Sequence, residues 1–430
     1  MTVAFAPDSG GAFGSPGGRP VESPGYTRAP LRIVTFTTLY PNNAQPHHGV
    51  FVENRLRNLV ASGRVEARVV APVPWFPFAH RRFGRYGDFA RALTRENRFG
   101  LKVLHPRYPV LPKFGMSLAP ALLYAAALPA LKRLQAEQDF DLIDAHYLYP
   151  DGVAAILLGR TLGKKVVLTA RGTDVNLIPR YALPRRLIRW AASRAEAVIT
   201  VAEALRAALI DLGVDPAHVR TLRNGVDLAQ FQPLERQAAR AALGLGPGPV
   251  LLSVGHLIAR KGHRLAIEAL AELPGYSLLI AGEGPERGEL EELARRLGLG
   301  ARVRFLGAVP HENLAAVYSA ADALVLASSR EGMANVLLES LACGTPVVAS
   351  REWGNPEIVA DPAAGVLMPE LSASGVVAGV TALFRAKPSR GDVRAYAETF
   401  SWDATTAGQI ELFNRVLEAR GRPMAAGETR

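Results

Sequence analysis

The chain has 430 residues, 49% of them hydrophobic, which is more than one ordinary core accommodates and makes two domains with extensions the expectation. A single cysteine, Cys343, excludes an internal disulfide framework and fits a reducing cytoplasm. No run reaches the roughly 18 to 20 apolar residues of a membrane span. The formal charge of +11 favours acidic partners, but zinc-ligand spacing, a helix-turn-helix pattern and an aromatic RNA-binding signature are all missing, so nucleic acid is not expected.

Residues 1–30 hold six glycines and five prolines with no charged start and no apolar core, so they are expected to be disordered and not a secretory signal. LRIVTFTTLY (31–40) reads as the first strand. MSLAPALLYAAALPAL (116–131) is cut by Pro120 and Pro129, which suits a segment lying at a membrane surface better than one crossing it. DLIDAHY, KKVVLTA and AVITVA supply later strands with helical stretches between them, an alternation that indicates a parallel sheet covered on both faces. His146 ends the first of these strands, where a structural histidine is the plain alternative to a chemical one. Arg180, Arg185, Arg186 and Arg189 beside Trp190 could anchor the chain to an anionic membrane, although solubility or an arginine-rich composition explains the charge as well.

NGVDLAQFQPL reads as a junction. After it the same logic repeats with PVLLSVG, YSLLIAG, RVRFLGA, ALVLA and PVVAS. The loop GHLIARKGH joins a strand to a helix and carries Arg260 and Lys261; lysine is rare in this chain, seven against forty-three arginines. A cation there could hold a diphosphate and stabilise the charge it gains as a leaving group. A solvated basic loop is the plain alternative.

SSREGMANVLLESLACGTPVVAS (328–350) reads as a turn, a helix stopped by Gly344 and Pro346, and a strand. In such a unit the first helical N–H groups lack partners and attract anions at the carboxyl end of the preceding strand. Glu331 and Glu339 would repel a phosphate, so they suit hydroxyls: an ionised carboxylate takes both hydrogens of a vicinal diol. A phosphate between two polyhydroxylated groups is a nucleotide-sugar. Two exposed glutamates with nothing to bind remain the alternative.

The spacing of the two glutamates in EGMANVLLE, the following LACGTPVVAS, the loop VGHLIARKG, the run IAGEGPERGELEELARRLGL and the NGVD of residues 224–227 resemble retaining glycosyltransferase family 4. In the amino half, DLIDAHYLYPDG (141–152) and TARGTDVN (169–176) are similar to a branch that builds exopolysaccharides and teichuronic acids. The resemblance implies the α/β GT-B fold, two Rossmann-like domains facing across a cleft: an acceptor domain over 31–222, a nucleotide-sugar donor domain over 223–399, a helix over 400–419 returning to the first domain, and a loose tail over 420–430. It implies that Glu339 binds the ribose hydroxyls, Glu331 contacts the transferred sugar, and backbone N–H groups of Gly332, Met333, Ala334 and Asn335 reach sugar and phosphates. Lys261 would hold the diphosphate. Gly49 and Gly255 match loops that bring backbone close to it. His256 stands where the family often has arginine, a contact Arg260 could replace. Arg171 stands where many members have histidine, which leaves His146, Arg171 and Asp174 as candidates for the acceptor side.

The expected activity is retaining transfer of a sugar, from a UDP-sugar ahead of a GDP-sugar, to a glycan or lipid-linked acceptor, with no cofactor beyond the nucleotide-sugar and no metal. Glu331, Lys261, Arg260 and His146 are the catalytic candidates. The expected place is the cytoplasm, with contact at the inner face of the membrane. A nucleotide-sugar epimerase and a non-catalytic nucleotide-sugar-binding protein are the alternatives.

Overall fold

The computed structural model describes residues 29–110 and 115–419. Almost all of the extension expected over 1–30, and the whole tail over 420–430, lie outside the described residues.

The first domain carries ten strands, β1 (Leu31–Phe36), β2 (Val65–Val70), β3 (Val73–Trp75), β4 (Arg95–Arg98), β5 (Leu101–Leu104), β6 (Arg107–Pro109), β7 (Leu142–His146), β8 (Lys165–Ala170), β9 (Ala197–Thr200) and β10 (Val219–Thr221). Eight of them form one sheet in the order β10-β9-β8-β7-β1-β2-β5-β4, while β3 pairs with β6 as a separate ribbon. Every described pairing in the large sheet is parallel except β4 with β5. The second domain has β11 (Val250–Val254), β12 (Ser277–Ala281), β13 (Val303–Gly307), β14 (Ala323–Leu326), β15 (Val347–Ala349) and β16 (Gly365–Leu367), in the order β13-β12-β11-β14-β15-β16 and parallel throughout. Runs such as VLLSV and ALVL are buried at every position, as strands covered on both faces require. Two parallel α/β domains facing each other are the arrangement the resemblance implies. Cys343 is buried, and that burial pushes its thiol up to about 12.

Three local expectations are corrected. The first strand stops at Phe36 and does not continue to residue 40. Thr37 N–H still reaches the Val70 carbonyl at 3.2 Å, but its Oγ1 then accepts from Leu39 N–H at 2.9 Å and turns the chain off the sheet. Pro120 and Pro129 do not cut the apolar run, because one helix, Gly115–Glu137, passes through both. Pro120 has no N–H for the Met116 carbonyl four residues back, and the Tyr149 hydroxyl donates to that carbonyl instead. Trp190 does not stand with the surface arginines; it is half buried against the core, with the Arg194 guanidinium 5.2 Å over its ring.

The last helix, Trp402–Glu418, returns to the first domain. Its Ile410, Phe413 and Val416 share a core with Val52, Leu56, Ile199 and Leu222. Lys165 Nζ donates to the carbonyls of Val416 and Ala419, each at 2.7 Å, which places a cation on the negative end of that helix. No helix among the described residues is long and apolar enough to cross a membrane.

Candidate active site

Parallel strands deliver their loops to one edge, and at that edge of the second domain the segments after β11 and β14 lock together. Gly262 has a left-handed backbone, and a Cβ there would stand 2.0 Å from the Ala327 carbonyl oxygen, so only glycine lets the two loops touch. Ser329 N–H donates to the Arg260 carbonyl at 2.9 Å, and the Arg260 guanidinium donates to the Arg330 carbonyl at 2.6 Å. The Lys261 stem passes beside Gly255, where an added Cβ would lie 3.5 Å from its Cδ. This seats the Lys261 ammonium 2.7 Å from one Glu331 oxygen, with Arg260 3.4 Å from the other. Burial alone would raise the Glu331 carboxyl, but the two cations outweigh it and hold the group ionised below its ordinary range.

The helix Asn335–Ala342 follows at once. No acceptor among the described residues takes the backbone N–H of Gly332, Met333 or Ala334, and Ala334 has no side chain to cap the helix. Its first turn therefore presents open donors beside Lys261. Glu339 lies one turn further along, where the Tyr318 hydroxyl donates to it at 2.8 Å and His311 Nε2 stands 3.6 Å away. Burial opposes the charge on His311, but Glu339 prevails and the imidazole is shifted upward. Neither Tyr318 nor His311 is evident in the sequence, because each reaches the carboxylate only through the fold. His256 is exposed on the loop after β11.

The first domain meets this edge directly. A Cβ on Gly332 would stand 2.1 Å from the Arg171 carbonyl oxygen, so the backbones of Arg171–Gly172 and Gly332 touch across the cleft. Asn176 Nδ2 donates to the Glu331 carbonyl at 3.1 Å, and Asn224 Nδ2 donates to Asn335 Oδ1 at 3.0 Å. Both asparagines sit in motifs the sequence displays, TDVN and NGVD, but neither is singled out there by its chemistry.

His146 and Arg171 are together, and both are buried. Arg171 Nη2 donates to His146 Nδ1 at 2.6 Å, so the ring must carry its proton on Nε2, which faces Asp144 at 3.2 Å. Burial pulls this histidine down to about 4 and Arg171 down to about 9. A neutral imidazole engaged on both sides positions Arg171 and has no lone pair left for a substrate. Arg171 also donates to Asn224 at 3.3 Å, while Gln409 of the returning helix bridges Asp144 at 3.2 Å and Arg55 at 2.8 Å. Asp174, expected on the acceptor side, instead braces the loop: its fully buried carboxylate accepts from the N–H groups of Leu148, Arg171 and Gly172. Gly49 precedes the first helix with a left-handed backbone pressed on Leu39, and Phe51, two residues on, lies 5.5 Å from the Arg171 guanidinium. Two hollows elsewhere, one at the amino ends of β1 and β2 and one beside Asn54 and Trp402, lie away from this edge.

Residues 235–400 match the family model described as glycosyl transferases group 1, and residues 102–230 match glycosyltransferase family 4. A D-inositol 3-phosphate glycosyltransferase 2 of Catenulispora acidiphila is 32% identical over 323 residues, covering 67% of this chain and 75% of that protein. A D-inositol 3-phosphate glycosyltransferase of Mycobacterium tuberculosis is 37% identical over 219 residues, covering 48% of this chain and 45% of that protein, so the match spans less than half of the latter. Among solved structures, sucrose-phosphate synthase of Thermosynechococcus elongatus superposes with a TM-score of 0.73 at 22% identity, over 91% of this chain and 100% of that one. Anabaena HepE in complex with UDP gives 0.68 at 21%, over 90% and 100%.

Proposed function

Because this chain belongs to the glycosyltransferases of group 1 and family 4, we propose that it transfers a sugar from a nucleotide-sugar, a UDP-sugar ahead of a GDP-sugar, to a glycan or lipid-linked acceptor in cell-surface polysaccharide synthesis. The observation that carries the donor is the convergence of Lys261, Arg260 and the open N–H groups of Gly332, Met333 and Ala334 at one strand edge. Two cations and a helix start suit a diphosphate, whose negative charge grows as the sugar–oxygen bond breaks. Glu339, aimed by Tyr318, would take the ribose hydroxyls. Glu331 would meet the transferred sugar while sharing Lys261 with the diphosphate.

The transfer retains the anomeric configuration in this proposal, through a front-face reaction in which a donor phosphate oxygen assists the acceptor hydroxyl. A double displacement needs a carboxylate poised as nucleophile, and the buried one here is held by two cations. The cations are proposed to do the work that a divalent metal does elsewhere. Activity should then survive a chelator, and loss of turnover in EDTA would contradict it. The place is the cytoplasmic face of the membrane, supported by the exposed Arg185, Arg186 and Arg189 of the helix Ala182–Ala192.

A thermal-shift screen with UDP, GDP and ADP, followed by turnover on the matching sugars, tests the proposal. Released nucleoside diphosphate together with a glycosylated acceptor is expected. D-inositol 3-phosphate, carried in the names of the bacterial relatives, is a second acceptor to assay. Altered sugar stereochemistry without an acceptor would mean an epimerase instead, and nucleotide binding without turnover on any acceptor would mean a binding protein.

A further inference from the structure

Large apolar side chains stand in water along one stretch of the first domain. Trp75 is 55% exposed, Phe78 56% and Tyr86 48%, and all three belong to residues 75–86, which begin at the last residue of β3. Phe76 links the cluster, with its ring 6.1 Å from Phe78, 5.3 Å from Phe83 and 5.4 Å from Tyr86. Phe78 stacks on Phe83 at 5.5 Å, and Tyr86 meets the buried Phe89 at 6.0 Å, so the outer rings stand on an inner one anchored in the fold. The segment is also tied down by arginines: Arg107 donates to the carbonyls of Phe89 and Ala92, and Arg91 donates to the carbonyl of Ala79 at 2.9 Å. The rings are thus held outward on a fixed support.

Position and charge say what they face. Trp75 pairs in register with Pro109 of β6, and the ribbon of β3 and β6 continues from the carboxyl ends of β2 and β5, the same edge of the sheet from which the cleft loops arise. Val110, Met116 and Leu118 are also exposed in the chain that follows. Residues 75–99 carry six arginines against two acids, Asp88 and Glu96. Both acids are occupied, Asp88 by Arg91 and Glu96 by Asn43 N–H and His105. Arg91 is taken by Asp88 and Arg98 by Glu53, while Arg82, 4.7 Å over the Phe83 ring, and Arg95 remain exposed. With both acids engaged, few acceptors stand beside the rings for the hydroxyl hydrogens of a glycan. Rings with arginines among them match an apolar layer beneath anionic headgroups.

We propose that the surface formed by Trp75, Phe78 and Tyr86 with the arginines around them docks on an anionic lipid bilayer, and that the acceptor reaches the cleft from that bilayer as a lipid-linked glycan. This rests on the membrane contact and lipid-linked acceptor proposed above and makes this surface the main contact, with the helix Ala182–Ala192 a secondary one.

Co-sedimentation of the full chain with phosphatidylcholine vesicles, with and without phosphatidylglycerol, tests it. Wild type should bind the phosphatidylglycerol vesicles and release them as salt rises. The triple variant Trp75→Ser, Phe78→Ser, Tyr86→Ser should bind roughly 30- to 100-fold more weakly. Because these side chains stand away from the donor edge, UDP binding should stay at the wild-type value, which shows that the variant is folded. Arg185→Ser with Arg186→Ser should lose far less. If wild type binds and the triple variant binds equally well, this surface is refuted while the membrane contact stands. If wild type binds neither vesicle, both fail. If the triple variant instead loses binding to a water-soluble polysaccharide and wild type ignores vesicles, the rings serve a glycan and the proposal is overturned.

Discussion

Replacing Lys261 by Ala separates the two roles that the ammonium can play. In the structure it sits 2.7 Å from Glu331, which is buried, and Arg260 stays 3.4 Å from the other carboxylate oxygen after the change. A pair of unit charges at 4 Å is worth about 4 kcal/mol at an effective dielectric of about 20. Arg260 retains much of that field, so the folding cost should be about 1 to 3 kcal/mol. At about 2.1 cal/mol/K per residue, that corresponds to a loss of roughly 1 to 3 °C in unfolding temperature for a chain of this size. The effect on turnover should be larger. A preorganised donor aimed at developing charge is worth about 3 to 4 kcal/mol in the transition state, so kcat should fall roughly 100- to 1,000-fold. Release of nucleoside diphosphate at saturating donor measures it, and Lys261→Arg should recover part of the loss. A folded Lys261→Ala enzyme turning over within about twofold of wild type would remove this residue from the chemistry. A raised KM with unchanged kcat would assign it to uniform donor binding instead.

Glu339→Gln keeps the shape of the side chain and its contact with Tyr318 but removes the charge, so calorimetry should show nucleotide affinity falling about tenfold; an unaltered affinity rejects the ribose role. Gly332→Ala places a methyl 2.1 Å from the Arg171 carbonyl oxygen, so the domains must part there; small-angle scattering should report a larger radius and turnover should drop, and unchanged values of both would mean the contact gives way without consequence. His146 should titrate by NMR near 4, against about 6.5 for an ordinary histidine. Its folded-state value is depressed, so its share of stability is complete above about pH 6.5 and is lost as pH falls toward 4. A midpoint near 6.5 would mean that the ring is solvated and available for proton transfer.

Most of the fold is legible along the chain because parallel strands covered on both faces leave apolar runs such as VLLSV and ALVL, and their order alone implies two α/β domains. Glu331, Lys261 and Arg260 are legible as chemistry, since each sits in a strand-to-helix loop. Their pairing is not, because it depends on Gly262 fitting against Ala327 sixty-five residues away in sequence. The acceptor side reads least well. His146, Arg171 and Asp174 are polar residues next to strand ends, a pattern shared by groups that face a ligand and groups that brace a loop. Only burial and the partners on each side tell the two apart, and those partners include Gln409, from the far end of the sequence. The aromatic surface after β3 is visible as letters, but a phenylalanine-rich segment in a chain of this length reads first as core.

The returning helix Trp402–Glu418 has a consequence for how the protein is made. The first domain's hydrophobic face against Val52, Leu56 and Ile199 is closed by Ile410, Phe413 and Val416. During synthesis that face waits for roughly 200 further residues to emerge, on the order of 10 to 40 s at about 5 to 20 residues per second. The nascent amino half must survive that interval with an uncovered apolar side, and a chain cut short before residue 402 keeps its second sheet entire but leaves the first domain open.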